Sequence, residues 1–343
     1  MAKILIIRLT SLGDVIFTLP LVNCLKDAGH QVDFLVSERG AGVIENNPCI
    51  SKIHYVPLAK WRKNKFSVSN ITEFWKLVGA LRNEKYDIAF DCQQMFKSLF
   101  LFLFCGAKRR ITFADAREFS AFGGNEFVKP KAKFRDFNYH IVERNLDLAR
   151  YINIVPKDIK FTLPETDENT KMNVDKILSV TDKAKKTVVI APATTWKNKH
   201  WDINNWKEVV NYINGKVNII FTGTKADEGL ITSISNGIDC LNLAGKTSMP
   251  KLIEVFRRAD LVISVDSGSS NLAWACGHPA LITIFTCTPA KRFGPYGDEK
   301  KYYTIQGGLS CQPCFKKRCS FKHCNCIKYP EPESIIEIIK SVI

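Results

Sequence analysis

The chain has 343 residues, so we expect two domains rather than one, and its apolar fraction of 45% is enough to give each a hydrophobic core. A formal net charge of +15 favours anionic partners such as phosphates, nucleic acid or an acidic membrane face. Twelve cysteines in so long a chain, seven of them scattered, argue against a secreted disulfide scaffold and favour a reducing compartment.

The first half of the chain alternates short apolar strands with helical stretches, which predicts a parallel, doubly wound sheet. Arg8 and Asp14 interrupt the opening apolar segment, which argues against a signal peptide. No stretch has the roughly 18 uncharged apolar residues that a membrane-spanning helix needs. Strands are predicted at KILIIRL (3–9), QVDFLVS (31–37), ISKIHYVPL (50–58) and YDIAFDCQ (86–93).

The second half repeats this alternation after a polar segment at 160–173, which we interpret as a linker. We therefore expect an α/β fold in which two Rossmann-like lobes face a central cleft. The predicted domains are residues 1–165 and 175–330, followed by a C-terminal helix at 331–343. In such sheets, ligands bind beyond the carboxyl ends of the strands. Further strands are predicted at 187–193, 217–223, 260–266 and 280–286.

The turn after the first strand, within IIRLTSLGDVIFTLP (6–20), carries one carboxylate, Asp14. Only Gly13 lies at this turn, so it lacks the glycine pattern of a dinucleotide site. Two roles for Asp14 stay open from the residues alone. The side chain is placed either to cap the helix that follows or to accept a proton from a hydroxyl nucleophile.

The loop after the strand at 187–193 contains the sequence ATTWKNKHW, with two hydroxyls and two lysines. Thr194, Thr195 and Lys199 supply donors and a fixed positive charge, which suit a diphosphate without requiring a metal. A solvated basic loop is the alternative. We favour it for Lys197 but not for Lys199, which lies between two tryptophans in the sequence.

The sequence DSGSS closes the strand at 260–266 and opens a helix. Free N–H groups at a helix N-terminus attract anions, so Ser267 and Gly268 are candidate phosphate contacts. An ordinary serine N-cap is the alternative.

Three blocks resemble, in content and order, those of glycosyltransferase family 9, the lipopolysaccharide heptosyltransferases: RLTSLGDVIFTLP, ATTWKNKHW and DSGSSNLAWACGHPALITIFTCTPAKRFGPYG. The segments VPLAKWRKNKFS (56–67), FDCQQMFKSL (90–99) and ADAREFSA (114–121) are most similar to the branch that adds the first heptose to the Kdo sugars of lipid A. The resemblance implies a GT-B fold with an acceptor-binding N-terminal lobe and a nucleotide-sugar-binding C-terminal lobe. It also implies an inverting, metal-independent transferase that moves L-glycero-D-manno-heptose from ADP-heptose to Kdo-lipid A in inner-core synthesis.

The resemblance also implies roles for individual residues. Asp14 would be the catalytic base, and Lys199 would stabilise the departing ADP. Either Asp227 or Glu228 would hold the ribose. The nucleotide-sugar contacts implied are Thr194, Thr195, Asp227, Glu228, Asp266, Ser267, Gly268 and Asn271. The acceptor contacts implied are Ser11, Gly13, Arg62, Lys63 and Arg117.

An acceptor that is a lipid bearing carboxylates and phosphates implies a cytoplasmic enzyme at the anionic inner face of the membrane. The segment SLFLFLFCGAKRR (98–110) joins an apolar run to a basic triplet. A peripheral membrane helix needs a polar face, and this run has none. We therefore expect a buried helix here, with a lipid-contacting patch as the alternative.

A cysteine cluster, CQPCFKKRCSFKHCNC (311–326), departs from the typical form of that branch. Its spacing allows a structural zinc or iron site on Cys311, Cys314, Cys319 and Cys324. Reduced thiols without a metal, or a disulfide, are the alternatives. No cofactor is expected to be required for catalysis.

Three other functions stay open. Another family 9 transferase would add a later heptose or a different sugar to a related lipooligosaccharide, or would modify a protein. A nucleotide-sugar epimerase would release its product without an acceptor. A nucleic-acid-binding protein would use the basic surface and a zinc knuckle. The aromatic residues, however, form no stacking platform, and the basic residues form no helical stripe. We therefore expect no nucleic-acid partner.

Overall fold

The computed structural model describes residues 1–64, 67–133, 136–277, 279–297, 300–321 and 323–343, so that Lys65, Phe66, His278 and Lys322 of the blocks above lie outside the described residues. The chain divides into two compact units, Met1–Glu165 and Thr166–Ile343. Within the described residues, each unit holds one six-stranded sheet, and all neighbouring strands are parallel. The predicted α/β class is confirmed.

The sheet of the first unit has the strand order β3-β2-β1-β4-β5-β6. The chain moves outwards from β1 to β3 and then returns to β4 on the other side of β1, so the direction of strand addition reverses between β1 and β4. Doubly wound sheets bind ligands at such a reversal. The strands are β1 (Lys3–Ile7), β2 (Gln31–Ser37), β3 (Lys52–Val56), β4 (Ile88–Asp91), β5 (Arg109–Phe113) and β6 (Glu126–Val128). The helices are α1 (Leu12–Ile16), α2 (Leu19–Asp27), α3 (Glu38–Ala41), α4 (Leu58–Lys63), α5 (Val68–Asn83), α6 (Phe96–Phe104) and α7 (Ile141–Tyr151).

The sheet of the second unit has the order β12-β11-β10-β7-β8-β9 and reverses between β7 and β10 in the same way. Its C-terminal helix packs on the helix that follows β7, and Trp206, Ile335 and Ile339 of these two helices share one buried core. The strands are β7 (Thr187–Ala191), β8 (Asn218–Phe221), β9 (Leu241–Asn242), β10 (Leu261–Val265), β11 (Ala280–Phe285) and β12 (Tyr302–Gln306). The helices are α8 (Glu168–Leu178), α9 (Ile203–Ile213), α10 (Glu228–Ile234), α11 (Met249–Arg257), α12 (Gly268–Cys276), α13 (Ala290–Phe293) and α14 (Pro332–Val342).

The apolar run that the sequence predicts as a buried helix forms α6, which is buried on one side only. Leu99, Leu101 and Phe102 pack inwards, whereas Phe96 is 53% and Phe100 is 46% exposed. The expectation of full burial is therefore wrong for the outer face, because a helix that packs inwards on one side exposes the other side, and this run is apolar on both. None of the helices in the described ranges has the length and apolar character needed to cross a membrane.

A buried polar network lies at the amino end of the first sheet. The Tyr86 hydroxyl donates to Asp33 Oδ2 (2.9 Å) and lies 2.8 Å from His54 Nε2. Burial, followed by the nearby Asp33 carboxylate, raises the pKa of Tyr86, so the hydroxyl keeps its proton. Asp33 is fully buried, and its network depends on this donor.

Replacing Tyr86 with phenylalanine is expected to lower the free energy of unfolding by about 1–3 kcal/mol, because the buried Asp33 carboxylate loses a donor. Urea unfolding measures the change. Tyr55→Phe is the control, since that side chain is 50% exposed and its hydroxyl lies 3.4 Å from Glu45. Equal losses in the two variants would contradict a special role for the network.

Candidate active site

Asp14 is held by both of its carboxylate oxygens at the turn between β1 and α1. Oδ1 accepts from Arg8 Nη2 at 2.5 Å, and Oδ2 accepts from the backbone N–H and the hydroxyl of Ser11, each at 2.9 Å. The bond to the Ser11 N–H caps α1, so the capping role is present in the structure. The Asp14 side chain is still 32% exposed. A carboxylate has about four acceptor positions, so this one can accept a further hydrogen bond from a bound hydroxyl.

The charge on Asp14 is stabilised by its neighbours. Burial alone raises its pKa, but the Arg8 guanidinium and the two Ser11 donors outweigh that effect and hold the pKa below its ordinary value. Arg8 itself is 7% exposed and also donates to the Cys92 carbonyl. The carboxylate is therefore ionised at neutral pH and able to act as a base.

Cations from three other segments lie within electrostatic reach of this turn. Lys97, at the start of α6, donates to Thr10 Oγ1, and its pKa is lowered to about 8 by burial and then by the Arg8 charge. Arg62 also contributes to lowering that pKa. Burial lowers the pKa of Arg117 too, and the charges of Arg8 and Asp14 act on it. The arrangement suits an anionic ligand.

The acceptor residues implied by the resemblance are only partly brought together. Ser11 binds Asp14. Arg62 lies within electrostatic reach of Lys97, and Arg117 lies within electrostatic reach of Arg8 and Asp14. Gly13 is buried, and its carbonyl accepts from Phe17 N–H in the helix (2.9 Å). Lys63 is exposed at the end of α4.

Arg8, Gln93 and Lys97 are site residues that the sequence-based prediction lacks. Gln93 Oε1 accepts from the backbone N–H groups of Leu9 and Thr10, both at 3.0 Å, and so fixes the turn that carries Asp14. Gln93 and Lys97 both lie in the part of the block 90–99 that comes after β4. Their position after a strand was the available signal, but only the pairing of β4 with β1 brings them to Asp14.

In the second unit, Lys199 and Asp266 form an ion pair of 2.7 Å. The side chains are 17% and 6% exposed, and Thr288 Oγ1 donates to the same Asp266 oxygen at 2.5 Å. Asp266 follows β10 directly, so this carboxylate anchors the ammonium group at the carboxyl edge of the sheet. Thr288 is a further residue that the sequence did not point to.

The loop that carries Lys199 is fixed along its length. His200 Nε2 lies 2.8 Å from the Thr194 carbonyl, and Thr194 Oγ1 donates to the Asp266 carbonyl at 3.4 Å. Thr286 Oγ1 donates to the carbonyl of Asn198 at 2.6 Å. Thr195 is exposed in the same loop. Such bracing fixes the loop before any ligand binds, as electrostatic catalysis requires.

The helix α12 begins beside this loop, because β10 and β7 are neighbours in the sheet. Ser267 is its N-cap and accepts from the Ser270 N–H at 3.4 Å, which agrees with the ordinary capping alternative. The helix starts at Gly268, and Asn271 is buried in its first turn. The N-terminal dipole of α12 and the Lys199 ammonium are therefore two positive groups at the strand-order reversal.

The two candidate ribose contacts follow β8, the next strand of the same sheet. Asp227 Oδ2 accepts from the N–H and the hydroxyl of Thr224, at 2.8 and 2.7 Å, so this carboxylate caps the turn. Glu228 is exposed at the start of α10. Glu228 is therefore the more accessible of the two carboxylates.

The cysteine cluster lies against the Lys199 loop, where Asn198 Nδ2 donates to the Lys316 carbonyl at 3.1 Å. All twelve cysteines lie in the described part of the chain, and none of them forms a disulfide bond. Burial and then Cys314 raise the pKa of Cys326 to about 11. Across the described ranges, no three His, Cys, Asp or Glu side chains are placed to hold a metal ion. A small cavity is lined by Cys311, Cys314, Cys319, Cys326 and His323.

Comparisons with known proteins identify the family. A model described as "Glycosyltransferase family 9 (heptosyltransferase)" matches residues 74–325. The chain is 26% identical to lipopolysaccharide heptosyltransferase 1 of Pseudomonas aeruginosa over 93% of this chain and 88% of that protein. It is 24% identical to lipooligosaccharide heptosyltransferase 2 of Campylobacter jejuni over 99% and 98%.

The fold is also that of a solved heptosyltransferase. The structure of Escherichia coli heptosyltransferase WaaC with ADP superposes with a TM-score of 0.77 at 22% identity, over 99% of this chain and 100% of that one. This likeness confirms the predicted GT-B fold class. The resemblance inferred from the three sequence blocks is confirmed as well, and the chain belongs to glycosyltransferase family 9 and is a glycosyltransferase enzyme.

Proposed function

We propose that this enzyme transfers L-glycero-D-manno-heptose from ADP-heptose to Kdo-lipid A, with inversion at the anomeric carbon, during synthesis of the lipopolysaccharide core. The observation that carries the proposal is the ionised, partly exposed Asp14 among Arg8, Arg62, Lys97 and Arg117. A base within a group of cations suits an acceptor that presents a hydroxyl beside carboxylates or phosphates. The Pseudomonas relative, a lipopolysaccharide heptosyltransferase 1, supports the same acceptor class.

In this proposal Asp14 accepts the proton of the acceptor hydroxyl as its oxygen attacks the anomeric carbon of the donor. The bond between that carbon and the diphosphate oxygen breaks, and ADP leaves with the electron pair. Lys199 and the N-terminus of α12 stabilise the negative charge that develops on the diphosphate. Thr194, Thr195 and Ser267 are proposed to add hydrogen bonds. The WaaC structure with ADP supports an adenine nucleotide as the leaving group.

A transferase for a later heptose is the second candidate, because the Campylobacter relative is a heptosyltransferase 2. The test offers ADP-heptose with Kdo-lipid A, with the same lipid already carrying one heptose, or with no acceptor, all in excess chelator. ADP release that requires unmodified Kdo-lipid A supports the main proposal. Release only with the heptose-bearing lipid supports the second candidate, and turnover without acceptor indicates an epimerase.

A structural zinc or iron bound by Cys311, Cys314, Cys319 and Cys324 is a separate proposal. Three of these cysteines, Cys311, Cys314 and Cys319, line one cavity together with Cys326 and His323. Cys324 lines a neighbouring pocket with Cys319. Because no three of the described side chains are placed to hold an ion, binding would require them to converge. Metal analysis before and after chelation tests this, and less than about one metal per chain would contradict it.

The proposed acceptor site predicts a pH dependence. Lys97 has a pKa lowered to about 8, so its charge is present below that pH and is lost above it. The KM for the anionic acceptor is therefore expected to rise as the pH passes through 8, whereas the KM for ADP-heptose stays level. Lys97→Arg should keep low KM values and remove the dependence, because arginine stays charged. Persistence of the same pH profile in Lys97→Arg would assign the titration to another group.

A further inference from the structure

The loop that follows β4, residues 92–94, supports the turn that carries Asp14. The carbonyl of Cys92 accepts from Arg8 Nη1, and the same guanidinium holds the Asp14 carboxylate through Nη2. The Gln93 side chain accepts from the two backbone N–H groups that come after Arg8. Two consecutive residues of one loop therefore set both the ion-pair partner of Asp14 and the backbone that leads to it.

The next residue of the 92–94 loop, Gln94, supports the segment that carries Arg117. Gln94 Oε1 accepts from Arg144 Nη2 at 2.9 Å, and the same nitrogen donates to Asp115 Oδ1 at 2.5 Å. Arg144 is 1% exposed, and Asp115 lies two residues before Arg117. The loop thus connects the turn of the proposed base with a second segment of the proposed acceptor site.

Asp91, the last residue of β4, fixes the shape of the 92–94 loop. Its Oδ1 accepts from the backbone N–H groups of Gln93 and Gln94, both at 3.1 Å. An aspartate that accepts from N–H groups just ahead of it closes a tight turn. The side chain is fully buried, and Asp91 pairs in register with Ile7, the last residue of β1. Asp91 therefore determines where the loop places the two glutamine side chains.

Hydrogen bonds hold the Asp91 carboxyl group in this buried position. Burial raises its pKa to about 6, although the two backbone N–H groups and the Ser98 and Ser120 hydroxyls lower it. Burying a carboxyl group costs free energy. Strongly perturbed titratable groups are concentrated at functional sites. The contacts of Asp91 lead to the site around Asp14, which favours a role for it in the reaction.

We propose that Asp91 is a positioning residue for sugar transfer. Because it is buried, it acts through the 92–94 loop, which keeps the Asp14 carboxylate and the Arg117 segment in the arrangement that the reaction needs. The inference rests on the proposed function, in which Asp14 is the base. A displaced carboxylate reaches the acceptor hydroxyl less well, and a misplacement of about 1 Å can cost about 100-fold in rate.

The test compares Asp91→Ala with Asp91→Asn. Alanine removes the acceptor for the two N–H groups, whereas asparagine keeps an oxygen in the same place, as the protonated acid does. Per folded molecule, Asp91→Ala is expected to lower kcat by about 10- to 100-fold, and Asp91→Asn to retain most of the activity. The KM for ADP-heptose and the affinity for ADP should stay level in both, because the donor is proposed to bind in the second unit.

Asp33→Ala is the matched control. Asp33 is also fully buried in the first sheet, but it accepts from Tyr86 at the amino end of that sheet. This variant is expected to lose stability and to keep its kcat per folded molecule, with the folded fraction measured by circular dichroism. Should Asp91→Ala not fold, Asp91→Val replaces it, since valine fills the space and accepts no hydrogen bond.

A double-mutant cycle tests whether Asp91 acts through the loop. Gln93→Leu removes the acceptor for the turn and is expected to lower kcat as Asp91→Ala does. The double variant should lose little more than either single variant, because both changes disturb the same contacts. Losses that multiply would show that the two residues act independently and would contradict the proposed route.

Three results would overturn the inference: an unchanged kcat per folded Asp91→Ala molecule, an equal loss of kcat in Asp33→Ala, or no recovery in Asp91→Asn. A parallel loss of ADP binding would also overturn it, because the disturbance would then extend beyond the acceptor side. Rates are taken on the lipid that the unmodified enzyme uses, so a different acceptor leaves the effect of Asp91 measurable. Full turnover in Asp14→Asn would instead reject the base of the proposed function.

Discussion

Replacing Asp14 with asparagine is expected to lower turnover by about 100-fold or more while ADP binding stays nearly unchanged. Asparagine has the same shape but cannot take a proton from the acceptor hydroxyl. ADP is proposed to bind in the second unit, at the loop that carries Lys199, so its affinity should not depend on this carboxylate. Initial rates with saturating substrates and calorimetric titration of ADP give the two measurements.

The control has to separate the two roles of Asp14, which caps α1 and is proposed to act as the catalytic base. Asp167 is also a helix cap: as the N-cap of α8, its carboxylate accepts from the N–H and the hydroxyl of Thr170 at 2.9 and 2.7 Å, whereas Asp14 lies in the first turn of α1 and accepts from the N-cap Ser11. Asp167→Asn should leave turnover unchanged. If the loss of activity in Asp14→Asn is explained by a smaller folded fraction, measured by thermal unfolding, then Asp14 is only a cap.

The ion pair with Arg8 also fixes the sign of the acid dependence. The folded-state pKa of Asp14 is lowered, so the pair contributes stability at pH values above the ordinary aspartate range. That contribution is lost as the pH falls through the lowered pKa. A proton on Asp14 would also remove the base, so the acid limb of turnover is expected below about pH 4.

The central strands were predictable because burial on both faces demands continuous apolar runs. Residues 31–37 match β2 exactly in extent, whereas the run at 3–9 ends early, since Arg8 and Leu9 already belong to the turn that holds Asp14. The strand β5 was missed because it opens with Arg109 and Arg110, which suggest a surface segment. Sequence patterns follow burial, so a strand that opens with charged, exposed residues escapes them even when it has a neighbour on both sides, as β5 does.

Candidate site residues were predictable where they lie soon after a central strand: Asp266 directly follows β10, and Asp14 lies in the short helix that opens after β1. Their partners were not, because the pairing of Lys199 with Asp266 depends on β7 lying beside β10. Lys97 is one cation in a basic chain, and only its burial distinguishes it. The exposure of Phe96 and Phe100 on the outer face of α6 was equally unpredictable, because an apolar run does not show which of its residues face the core and which face the solvent.

Replacing Lys199 with methionine is expected to lower turnover by about 100- to 1,000-fold, the usual cost of removing one preorganised donor from developing negative charge. Methionine keeps the unbranched stem but not the ammonium group. Lys197→Met is the matched control, because Lys197 is exposed in the same loop, and its turnover should change little.

Lys199 also neutralises Asp266, so loss of activity in Lys199→Met has a second explanation, which is loss of stability. A buried carboxylate that loses its cation destabilises the fold. Thr288 remains as a donor to Asp266, so the variant is expected to fold with a lower melting temperature. If rates per folded molecule match those of the unmodified enzyme, Lys199 serves only to neutralise Asp266. A lower rate per folded molecule, with weaker ADP binding, places the ammonium group on the departing diphosphate, since neutralising Asp266 does not in itself bind a nucleotide.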